Sequence, residues 1–139
     1  MTPSKAPFPF SGTWKLTKCE SSQPDLPHPV SGITTFTPKE DGVHYTNEGV
    51  WSDGRSAKVT AVLQLDGTWC PLTGSLVSDS VSFSRLEDGS FEVKMRKGGS
   101  DVGTNRSAAS ADGRTMTGHW EFAGPGGTTI TWKTTSERQ

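Results

Sequence analysis

The stretch Phe10-Ser11-Gly12-Thr13-Trp14-Lys15-Leu16 decides the fold. In an extended segment Trp14 and Leu16 fall on one side and Thr13, Lys15 and Thr17 on the other, the period-two pattern of a strand with one buried face. Gly12 lets another piece of backbone come close. Trp14 brings a large apolar ring and a single N–H that needs an acceptor once buried. The segment reads as a first strand running from Gly12 to about Cys19, with Gly12 and Trp14 at the base of a barrel and Phe8 and Phe10 closing that end against Trp14.

The rest of the chain repeats the scheme. Asp-Gly recurs at Asp41-Gly42, Asp53-Gly54, Asp66-Gly67, Asp88-Gly89 and Asp112-Gly113, joined by Gly98-Gly99 and Gly126-Gly127. Such pairs supply the positive φ angles of tight hairpin turns. Between them apolar and polar residues alternate: Val43, Tyr45, Asn47, Gly49 and Trp51; Ala57, Val59, Ala61, Leu63 and Leu65; Val81 and Phe83; Phe91, Val93 and Met95; Val102, Thr104, Arg106 and Ala108; Met116, Gly118, Trp120 and Phe122; Ile130 and Trp132. Thr68 to Thr73, broken by Pro71, reads as an edge or bulged strand. No segment carries a helical period. The expected fold is a single all-β, up-and-down antiparallel barrel of about 8–10 strands without lid helices. It spans residues 10–135, after an extended lead-in over 1–9 and before a frayed tail over 136–139.

Composition agrees. Only 30% of the 139 residues are hydrophobic, but they include five Trp, six Phe and one Tyr, as suits strands with one wet and one dry face. Fourteen basic against fifteen acidic residues give a net charge of -1 with no basic cluster, which argues against nucleic acid as a partner. No apolar run has the length of a membrane span. Residues 1–7 lack the apolar centre of a signal peptide, so the chain reads as cytoplasmic, or as secreted where a leader has been removed. A monomer or homodimer is expected. Cys19 and Cys70 have neither CxxC spacing nor companion histidines and read as two semi-buried thiols; no metal and no cofactor are expected.

Gly12-Thr13-Trp14-Lys15-Leu16, the strand count and the Asp-Gly turns together resemble the calycin superfamily, in particular small bacterial lipocalin-like and fatty-acid-binding-protein-like barrels. Leu65-Asp66-Gly67-Thr68-Trp69-Cys70-Pro71-Leu72-Thr73-Gly74 and Ser110-Ala111-Asp112-Gly113-Arg114-Thr115-Met116-Thr117 add to the likeness. It implies a cavity for an apolar or amphipathic small molecule. Two departures limit what it carries over. Fatty-acid-binding proteins hold a carboxylate with Arg-x-Tyr on the last strand, where this chain has Thr131-Trp132-Lys133-Thr134. They also place two lid helices where Ser21 to Pro29 holds Pro24, Pro27 and Pro29 and cannot form a stable helix, so an irregular loop over Glu20 to Gly32 is expected across the barrel mouth. Related haem-binding barrels use a histidine near the C-terminus. His119 is the candidate, and its parity opposes Trp120 and Phe122, so it is expected to face outward.

For the cavity wall, the alternation selects Tyr45, Asn47, Trp51, Phe83, Arg85, Arg106, Trp120 and Trp132. A phenol, an amide and one or two guanidiniums on such a wall could orient a carbonyl or stabilise developing negative charge; the same polar groups could instead tie strands together or sit at the rim. His44 and Glu48 share a strand face but stand about 13 Å apart, too far for a direct acid–base pair. No nucleophile elbow, phosphate loop or HExxH motif occurs, so no catalytic residue is assigned. The leading reading is a protein that binds a small hydrophobic or amphipathic molecule. The alternative is a cofactor-independent cyclase or isomerase that folds a flexible substrate in the same cavity; a solid-packed scaffold is the third.

Overall fold

The computed structural model describes residues 8–139; the lead-in and leader expectations for residues 1–7 lie outside them. Ten strands follow one another: β1 (Gly12–Ser21), β2 (Pro29–Lys39), β3 (Gly42–Trp51), β4 (Ser56–Leu63), β5 (Asp66–Pro71), β6 (Ser80–Arg85), β7 (Phe91–Lys97), β8 (Ser100–Ala109), β9 (Thr115–Ala123) and β10 (Thr129–Arg138). All pairings are antiparallel, in the order β4-β3-β2-β1-β10-β9-β8-β7-β6-β5. Each strand therefore pairs with its sequence neighbours, except that β1 pairs with β10 and β4 barely meets β5. Apart from a 3-10 turn at Pro125–Gly127, the described residues hold no helix.

The hairpin turns are built by one recurring device. In Asp53-Gly54, Asp66-Gly67, Asp88-Gly89 and Asp112-Gly113 the aspartate Oδ1 accepts the backbone N–H two residues on, at 3.0–3.1 Å. The intervening glycine takes a positive φ, +87° at Gly89. This is the Asx geometry that Asp provides and that only glycine follows without strain.

At the lower end, Phe8, Phe10, Phe36, Phe83 and Phe91 interlock, with Phe83 stacked on Phe91 at 4.3 Å and Phe10 edge-on to Phe91 at 4.6 Å. Trp14 is fully buried beside them, and its Nε1–H donates to the Phe10 carbonyl at 2.9 Å. The Arg138 guanidinium lies 4.3 Å over the Trp14 ring and donates to the carbonyls of Pro9, Ser11 and Gly113. Strand β10 thus stays paired with β1 as far as Arg138 opposite Trp14, and the residues expected as a frayed tail over 136–139 are mostly strand.

Two bulges reset the alternation. In β1 the register shifts between Leu16 and Lys18, which turns Cys19 toward the core. In β8 Met95 pairs with Gly103 and Arg96 with Asp101, leaving Val102 as the extra residue. Beyond a bulge every side chain changes face, so Asn105 and Ser107 are buried and Arg106 is exposed. That reverses the inward position expected for Thr104, Arg106 and Ala108.

The seam between β4 and β5 consists of one bridge, in which Thr60 and Thr73 exchange N–H···O bonds of 3.0 Å each. Gly74, at φ +86°, follows it directly, and a Cβ there would collide with the Lys58 carbonyl. A side chain at residue 74 would therefore obstruct the close approach to β4 at this bridge.

Candidate functional site

Above the phenylalanine floor lies a cavity of about 200 Å³. Tyr45, Asn47 and Trp51 of β3, Phe83 of β6, Trp120 of β9 and Trp132 of β10 all line it, as the alternation anticipated. Arg85 and Arg106 do not. Arg85 continues the inward parity of β6, but the strand has by then reached the lower end, where its guanidinium sits 5.9 Å over the Phe8 ring. Arg106 is turned outward by the β8 bulge. The Glu20–Gly32 segment contributes Pro29, Ser31 and Gly32, since β2 already begins at Pro29. The connection that folds over the cavity is instead the one between β5 and β6, through Leu72, Ser75, Leu76, Val77 and Ser78. Its sequence signal was the apolar pair Leu76-Val77 inside a turn region, where no period exists to read.

The lining is aromatic at the centre. Trp132 stands 4.5 Å from Phe122, 5.5 Å from Trp51 and 6.0 Å from Trp120, measured between ring centroids. A polar seam runs down the β8–β10 wall beside it. Trp120 Nε1–H donates to Thr134 Oγ1 at 3.0 Å, Ser107 Oγ–H to Asn105 Oδ1 at 3.0 Å, and Asn105 Nδ2–H to the His119 carbonyl at 3.2 Å. Gly118 makes room for the first of these, because a Cβ there would stand 2.6 Å from Thr134 Oγ1 and 2.9 Å from Trp120 Nε1. On β3, Asn47 Nδ2–H donates to Thr34 Oγ1 at 2.8 Å. Most of the polar lining is therefore occupied in holding the wall together.

Two atoms stand apart. Trp132 Nε1 and Ser78 Oγ are buried and have no hydrogen-bond partner. The Tyr45 hydroxyl makes no hydrogen bond among the described residues either, and burial pushes its pKa up to about 12, so it is a neutral donor at physiological pH. Among the described residues the lining contains no Asp, Glu, Lys, Arg or His.

The other candidates lie elsewhere. His119 is exposed on the outside of β9. His44 Nε2 pairs with Asp41 at 2.7 Å and Glu48 with Lys58 at 3.3 Å, both on the outer surface. His28 Nδ1 lies 2.9 Å from the Leu26 carbonyl. Both cysteines are free thiols. Burial, with the Glu20 charge adding to it, raises Cys19 to about 11; buried Cys70 donates weakly to the Thr68 carbonyl at 3.3 Å. No group of three or more His, Cys, Asp or Glu among the described residues could hold a metal ion, and no helix among them is long and apolar enough to cross a membrane.

A meandering ten-stranded barrel closed by its first and last strands over an internal cavity is the calycin architecture, and the chain has that fold. Zebrafish ileal bile acid-binding protein complexed with cholic acid matches it with a TM-score of 0.55 at 11% identity, over 94% of this chain and 99% of that one. The S-type phycobiliprotein lyase CpeS from Guillardia theta matches with 0.53 at 12% identity, over 94% and 89%. Bovine odorant-binding protein with its natural ligand gives 0.43 at 12% identity, over 100% and 77%. No protein-family profile and no curated sequence matches the chain.

Proposed function

We propose that the protein binds a small, largely apolar molecule in its barrel. The observation that carries this reading is the cavity itself: about 200 Å³ enclosed by Trp51, Trp120, Trp132 and Phe122 above a packed floor. A solid scaffold would fill that space, since voids in protein interiors forfeit dispersion contacts. The size favours a compact ligand. An apolar cavity of about 150 Å³ takes up benzene, and drug-sized sites begin near ~300 Å³. The cholic acid named for the bile acid-binding barrel lends support to the class of function.

The cyclase or isomerase reading has less behind it. Tyr45 is the titratable group of the described lining, and a phenol raised to about 12 donates a hydrogen bond but takes no proton at neutral pH. A mould without a base remains a binding site first.

Native mass spectrometry of the protein isolated from the cells that produce it tests the proposal. The expected result is a non-covalent adduct that is lost on unfolding, with tryptophan fluorescence that changes as the adduct leaves. A bare protein mass, together with no fluorescence response to any small aromatic titrant, would overturn it.

A further inference from the structure

Tyr45 puts a phenol beside the phenylalanine floor of the cavity. It stands low on β3, with its ring 5.4 Å from that of Phe36, which packs in turn against Phe8, Phe83 and Phe91. Trp51 closes the other end of the same strand, about 20 Å away at the rise of a strand. The Tyr45 hydroxyl bonds nothing among the described residues, and unlike Trp132 Nε1 and Ser78 Oγ it is not sealed off by its neighbours. Tyr45 lines the cavity and keeps part of its surface accessible, yet burial pushes its pKa up to about 12. The surface it keeps is thus the cavity's and not the outside of the barrel. Other polar groups of the wall are already engaged, as Asn47 is with Thr34 and Trp120 with Thr134.

Water answers such a hydroxyl poorly. A buried water is held by about two to four polar partners, and the floor around Tyr45 offers it aromatic rings. A hydrocarbon that displaced the water would leave the donor unanswered, which is costly; a ligand oxygen would satisfy it. Charge narrows the choice. A carboxylate could accept from the same hydroxyl, but the described lining contains no cation, and the ion would lose its hydration at the closed end without a counter-charge. Resting on the binding function proposed above, we infer that the ligand binds with a neutral oxygen acceptor foremost, hydrogen-bonded by Tyr45 at the floor, and with its apolar part among Trp51, Trp120 and Trp132. The barrel thus recognises the innermost end of its ligand.

Calorimetric titrations of the full chain and of Tyr45→Phe with acetophenone, ethylbenzene and benzoate test this. The first two probes differ by little more than a carbonyl oxygen. Loss of the hydroxyl should weaken acetophenone about tenfold, the effect of one buried hydrogen bond, and leave ethylbenzene within about twofold or tighter. Retained ethylbenzene binding also shows that the variant folds. Benzoate should bind the native chain about a hundredfold more weakly than acetophenone. Infrared difference spectra of bound acetophenone, isotope-labelled at the carbonyl, give a second readout that needs no variant. The C=O stretch should lie below its position in a hydrocarbon solvent, return toward it in Tyr45→Phe, and stay low in Trp132→Phe. An unshifted carbonyl, equal losses for ketone and hydrocarbon in Tyr45→Phe, or benzoate as tight as acetophenone overturns the inference and leaves the binding function standing. No binding by any of the three probes overturns both.

Discussion

The two ends of the barrel use the same residue types to opposite purposes. At the lower end Trp14 is fully buried, its N–H is answered by Phe10, and Arg138 covers its face. At the upper end Trp132 is almost as buried, packed by three aromatic rings, and its N–H is unanswered. Burial therefore does not distinguish the two tryptophans; the fate of the single polar atom does. The lower end is a filled core, and the upper end surrounds a cavity.

The largest effect that can test this contrast is Trp14→Ala, which removes a full aromatic side chain and a buried hydrogen bond. A loss of about 3–5 kcal/mol is expected, seen as a fall of about 9–15 °C, by a scale of roughly 3 °C per kcal/mol, in a thermal scan followed by circular dichroism. A loss under about 1 kcal/mol would mean that the lower end is not the stability core. Next in size is the β4–β5 seam. Gly74→Ala combines a left-handed backbone with a clash against Lys58 and should cost about 2–4 kcal/mol, with faster amide exchange at Thr60 and Thr73. Gly89→Ala, whose Cβ would meet nothing within 4 Å, should cost only about 1–2 kcal/mol. Equal losses would show that the seam does not depend on close approach.

A smaller difference separates the paired tryptophans. Trp120→Phe deprives Thr134 of its donor, whereas Trp132→Phe breaks no bond, so in denaturant unfolding the first should be the more destabilising by about 1 kcal/mol. Smallest is the response to acid. Hydrogen bonds from Thr68, Ser90 and Ser110 hold Asp66, Asp88 and Asp112 below the ordinary aspartate range, and the backbone N–H of Arg55, followed by its guanidinium, does the same for Asp53. A depressed folded pKa gives stability that is present above the unfolded value, near 3.8, and lost as pH falls through the lower folded value. The native chain should be insensitive above about pH 5, and below pH 4 it should lose stability faster than a variant with Asn at the four positions, measured by urea unfolding.

Much of this was legible because alternation and turns are local. Asp-Gly marked the hairpins, and the period of two placed Tyr45, Asn47, Trp51, Phe83, Trp120 and Trp132 on the inner face. Reading failed where one residue broke the count. Val102 is an ordinary valine in sequence, yet as the bulged residue it sends Arg106 out and brings Asn105 and Ser107 in, and nothing local announces it. Arg85 failed differently: its parity was right but its height along the barrel was not, and height depends on the register of neighbouring strands. The Leu72–Ser78 connection was missed because a loop folded over a cavity has no period at all. The unanswered atoms of Trp132 and Ser78 were invisible for a further reason, since satisfaction of a donor is a property of the whole fold.

The pairing of β1 with β10, fastened by Arg138, also sets the order of events in synthesis. Strand β10 is made after the other nine, so β1 emerges first and keeps one edge open longest. Contacts between strands this far apart in sequence are entropically expensive to reach and slow to form. Until they do, the nascent protein carries an unpaired strand edge on β1 beside a set of exposed phenylalanines, the kind of surface that invites association between copies. The clasp that makes the finished barrel sound thus leaves its youngest form in need of dilution or a chaperone.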